Sequence, residues 1–159
     1  MPRQKMHILK KRRFGKNKTA LFWQKGVNAK SMRKNSLLFF MGSCVYPAME
    51  LMYRGYTHIS MSLAGGVSLC AIGRICCGPL KNRPLWLRCL TGGTLITGVE
   101  FFTGLIVNRR LHLKVWDYSH RRFSVLGQIC PTATLLWTIL SLPAIGLCGA
   151  VSRLPFLKD

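Results

Sequence analysis

A chain of 159 residues has room for one domain, and its 24 Lys and Arg against 4 Asp and Glu give a formal charge of +20. A hydrophobic fraction of 49% beside that charge argues against a water-soluble enzyme, a disulfide scaffold and a purely nucleic-acid-binding domain, because the two must be segregated along the chain. Twelve of the 24 basic residues lie in positions 1–35, which hold no acid, and the rest of the chain is mostly apolar. The expectation is a membrane protein with a basic tail.

The tail includes Lys10, Lys11, Arg12 and Arg13, with Phe14, Leu21, Phe22 and Trp23 among further charges. Beside a first span such a cluster is attracted to anionic lipid at roughly 1 kcal/mol per basic residue, and that is the favoured reading. Interleaved aromatics also permit base stacking, but a basic run alone is a weak nucleic-acid motif, so nucleic acid is not the expected partner. No small-residue cleavage site follows the basic region, so a cleavable signal peptide is not expected.

Beyond the tail, charges interrupt four apolar stretches only sparsely. The expected spans are 37–53, broken by Glu50; 59–80, holding Arg74; 85–107, with Arg88 and Glu100; and 129–151, with no charge. Each approaches the roughly 20 residues needed to cross a hydrocarbon core. Runs such as 135–151 lack the polar face of a helix in a soluble bundle. The predicted architecture is therefore all-α: an integral membrane bundle of four transmembrane helices over 36–154, preceded by a cytoplasmic tail at 1–35.

Basic residues favour the cytoplasmic side. With both termini inside the cell, that side of the cell membrane carries seventeen Lys and Arg and the opposite side six, Arg74 being left out. Five of those six lie in the 108–122 connection, which predicts that this segment lies on the bilayer surface or folds back between helices.

Only three acids, Glu50, Glu100 and Asp117, lie away from the carboxyl end, and two fall inside spans. An ionisable group there costs about 2.5–3.5 kcal/mol on insertion scales, so it should face a partner or a watery cavity. Ser43, Tyr46, Glu50 and Tyr53 share one helix face, and Arg54 follows Glu50 at the favourable i+4 spacing. Gly93, Thr97, Glu100 and Gly104 form a stripe of small and polar residues, which turns Glu100 toward other helices. Two readings stand: the glutamates pair with Arg54, Arg74, Arg88 or hydroxyls to fix the bundle, or they serve transport. Asp117 lies in Val115–Trp116–Asp117–Tyr118–Ser119, where Asp and Ser favour a bend bonded to local backbone.

The same residues carry a family resemblance. Glu50 with the run from Arg54 to Met61, Gly65–Gly66, the run from Glu100 to Gly104 with Asn108, the 115–119 segment, the run from Leu126 to Cys130 and Trp137 together resemble the ABC-transporter type IV family, also called CmpB-like membrane proteins. The resemblance covers about 37–151. It implies a small bacterial multi-helix membrane protein acting as a permease-like subunit of an ABC-type transport system. It also marks Glu50, Arg54, His58, Glu100, Asn108, Trp116, Asp117, Tyr118 and Gln128 as candidate functional positions. The long tail and the Arg/Lys-rich 109–122 connection depart from the family pattern.

No Gly-x-x-x-x-Gly-Lys-Ser/Thr loop occurs, so ATP coupling would require a separate ATPase subunit. The seven cysteines are odd in number and form no Cys-x-x-Cys pair, and the four histidines are scattered. No metal, no cofactor and no enzymatic activity are expected; an enzyme assembled from Glu50, His58, Glu100 and Asp117 ranks third. Four short helices enclose little pathway, which favours a homo-oligomer. The alternative function is a non-transporting scaffold or regulatory protein whose tail holds anionic lipid or a partner.

Overall fold

The computed structural model describes residues 29–157; the rest of the basic tail, residues 1–28, and the last two residues lie outside the described region. The chain separates into two units at Lys34–Asn35, and the helical bundle belongs to the unit beginning at Asn35. Helix α1 occupies 29–54, α2 Ile59–Ile75, α3 Leu85–Gly104 and α4 Pro131–Val151. A π-helical turn, Leu105–Arg110, extends α3, and a 3₁₀ turn, Pro155–Leu157, closes the described chain. The described residues contain no strand, only a single bridge between Val125 and Ile129.

The boundaries follow local chemistry. α1 already includes Ala29–Lys30 and the Arg33–Lys34 pair assigned from sequence to the tail, since nothing between 29 and 37 breaks a helix. His58 caps α2, its Nδ1 accepting from the Ser60 N–H at 3.2 Å. α2 ends at Ile75, five residues short of the predicted 80, because Gly78–Pro79 cannot continue a helix. α4 begins at Pro131, where the missing N–H has no intrahelical partner to lose.

Two helices are long and apolar enough to cross a membrane: Leu85–Arg110, with 26 residues, and Pro131–Val151, with 21. α2 is apolar but has 17 residues, about 26 Å at 1.5 Å per residue against a core of about 30 Å. Phe40, Met52, Trp86, Phe102 and Ile139 are exposed on the helices, the distribution expected of surfaces that meet lipid.

Close approach is set by small residues. A Cβ on Gly42 would collide with the Gly65 carbonyl oxygen, and one on Gly65 with that of Gly42, so α1 and α2 touch backbone to backbone. Gly92 faces Ser141 and Gly93 faces Thr138 across the α3–α4 contact. The predicted stripe lies on that contact: Thr97 Oγ1 reaches Thr134 Oγ1 at 3.2 Å, Glu100 reaches Trp137, and Gly104 lies against Gln128 and Trp116. Several cysteines fill small spaces between helices, with Cys70 donating to the Asn35 carbonyl and Cys76 to that of Arg88.

Candidate functional site: a buried carboxylate chamber

Glu100 is 2% exposed, and each of its oxygens accepts one hydrogen bond from a different helix. Tyr46 of α1 donates its hydroxyl to Oε1, and Trp137 of α4 donates Nε1 to Oε2 at 2.6 Å. The two donor rings stack with centroids 5.3 Å apart, so the carboxylate and its donors hold α1, α3 and α4 together at one point. Among the described residues no basic side chain forms an ion pair with Glu100.

Glu50, one turn beyond Tyr46, is 8% exposed and pairs with Arg54, as the i+4 spacing predicts. Its second oxygen accepts from Thr57 Oγ1 at 2.7 Å. Arg54 also reaches the Val115 carbonyl at 3.4 Å, and its guanidinium lies 5.4 Å from the centre of the Tyr56 ring. Arg88, a possible partner from the sequence, instead donates Nε to the Cys76 carbonyl at 3.0 Å. Glu50, Arg54, Glu100, Tyr118, Tyr46 and Trp137 line one cavity of about 250 Å³. Burial, and after it the charge of Glu100, pushes the Tyr118 phenol above its ordinary pKa.

Four of the nine residues marked in the sequence thus line one chamber. Three others form a structural knot beside it. Asn108 donates Nδ2 to the Trp116 carbonyl at 3.0 Å and to Gln128 Oε1 at 2.7 Å, while its Oδ1 accepts from the Val115 N–H at 2.7 Å. Trp116 Nε1 donates to the Gln128 carbonyl at 3.0 Å. The knot folds the 111–130 connection back onto the helix ends and leaves Arg109, Arg110, Lys114, Arg121 and Arg122 exposed.

The last two marked residues stand apart. Asp117 is exposed, and its Oδ1 accepts from the Ser119 N–H at 2.8 Å and the Ser119 hydroxyl at 2.5 Å, the bend expected from sequence. The Ser119 hydroxyl, and then its N–H, hold the Asp117 carboxyl below the usual range. His58 is the α2 cap, with Nδ1 2.9 Å from Ser60 Oγ. Tyr46, Thr57 and Trp137 were not among the marked residues. Tyr46 shares a helix face with Glu50, yet bonds to a glutamate 54 residues away. Among the described residues no three His, Cys, Asp or Glu side chains gather in a group able to hold a metal.

An all-helical chain with two helices of membrane-crossing length and a carboxylate buried between them is the class that fold and site define. The chain belongs to the family described as "Putative ABC-transporter type IV", whose model matches residues 37–153. No curated protein and no solved structure matches it. Apolar helices and family together indicate a membrane protein related to ABC transporters.

Proposed function

We propose that this chain is a permease-like membrane subunit of an ABC-type transport system, with its ATPase on a separate polypeptide. The observation that carries the reading is the convergence of Glu50 and Glu100 on one chamber within apolar helices, since buried acids in a membrane are functional candidates. In this reading all four helices insert in the cell membrane, α2 as the shortest of them. Both termini lie in the cytoplasm, the basic tail rests on anionic lipid, and chains associate to complete a pathway. ATP hydrolysis is assigned to the separate subunit, because the sequence has no Gly-x-x-x-x-Gly-Lys-Ser/Thr phosphate-binding loop.

Purification of the full chain in mild detergent tests the assignment. A stoichiometric ATPase recovered with it is the expected result. Recovery of the folded chain without an ATPase under several lysis conditions overturns the transport reading in favour of a scaffold. Glu50→Gln and Glu100→Gln, each assayed for folding and for growth or transport phenotype, test the chamber: folded variants with unaltered phenotype overturn its functional role.

A further inference from the structure

The charges in the chamber do not cancel. Arg54 is bound to Glu50, whereas Glu100 meets only neutral donors, so with both acids ionised two carboxylates and one guanidinium leave one formal negative charge. A carboxylate has about four acceptor sites, and Glu100 uses two. The walls beside it are the aromatic rings of Tyr53, Tyr118 and Trp137, which favour a cation over an anion or a neutral solute.

A second cavity, of about 220 Å³, adjoins the first and shares Tyr46, Met49, Trp137 and Leu140 with it. Its remaining surface is chiefly apolar, including Leu69 and Ile72. Ser68 also lines it, is 4% exposed, and has a hydroxyl with no hydrogen-bond partner.

The geometry points to a binding site for an amphiphilic organic monocation, an amine or quaternary ammonium with a compact apolar body. Its charged head lies in the chamber beside Glu100, and its apolar part occupies the adjoining cavity against Leu69 and Ile72. The inference rests on the chamber being functional and requires no ATPase, so it is tested separately from co-purification.

The test uses the full chain in lipid nanodiscs and titration calorimetry with phenylpropyltrimethylammonium, beside the uncharged isostere in which carbon replaces nitrogen. Saturable binding of one cation per chain is expected, with the isostere at least tenfold weaker. Glu100→Gln weakens the cation at least tenfold, and Thr94→Ala, remote from both cavities, leaves it unchanged. Glu100→Gln also perturbs two hydrogen bonds, so Tyr53→Ala, at an exposed ring of the chamber, is the second variant, with at least a threefold loss expected. Absence of saturable binding by the folded chain, equal affinity for the isostere, or unchanged binding in Glu100→Gln or Tyr53→Ala overturns the inference. If an ATPase co-purifies while the cation does not bind, the ligand class fails and the transport reading stands.

Discussion

Glu100 shows how one residue depends on chain far from it. Trp137→Phe keeps a ring in the stack with Tyr46 but removes the donor to Oε2, so it should destabilise the protein by about 1–3 kcal/mol. Denaturation in detergent checks this, and an unchanged midpoint would mean that the bond adds nothing to stability. Asp117 tests electrostatics outside the spans. Its pKa is lowered by Ser119, so its bond contributes fully above the ordinary aspartate pKa and is lost as pH falls through the lower folded value. The Ser119 amide resonance should titrate with a midpoint below that of an unstructured aspartate, and Asp117→Asn should abolish the step. Both the Asp117 bend and the Glu50–Arg54 pair were legible in the sequence because each joins residues at most four positions apart. The partners of Glu100 were not, since they lie 54 and 37 residues away.

Helices meet here where side chains are smallest. Gly42→Ala or Gly65→Ala drives a methyl into the facing backbone, which cannot move aside as a side chain would, and should cost about 1–3 kcal/mol. Gly98→Ala meets open space in the middle of α3 and should instead stabilise by up to about 1 kcal/mol. Thermal unfolding of the three variants side by side separates packing from propensity. The 111–130 connection depends on the Asn108 knot, because His112, Lys114, Phe123 and Leu126 adopt left-handed backbone, at about 1–3 kcal/mol each. Asn108→Leu removes all three of its side-chain bonds and should expose Trp116, seen as a red shift in emission and faster proteolysis between 111 and 130. The stripe on α3 was readable from helical spacing. The knot was not, since no periodicity links Asn108 to Gln128.

For the molecule as a whole, the proposed orientation puts the 76–84 turn in the cytoplasm and 111–130 outside. In a background without native cysteines, Ser119→Cys should react with an impermeant maleimide on intact cells, and Asn82→Cys only after permeabilisation. The reverse pattern inverts the topology. Helix content and the placement of two of the four acids, Glu50 and Glu100, within apolar stretches were already determined by the sequence, because hydrophobicity and i+4 spacing act locally. The sequence was less reliable on span length: α2 stops at Ile75 although its apolar composition continues, because backbone chemistry at Gly78–Pro79 ends a helix whatever the hydropathy. Only the tertiary structure decided that Tyr46 and Trp137 converge on Glu100, that Arg54 reaches across to Val115, and that the basic connection folds onto the helix ends. Those contacts depend on how closely glycines let separate helices approach, a property of pairs of surfaces rather than of any single run of residues.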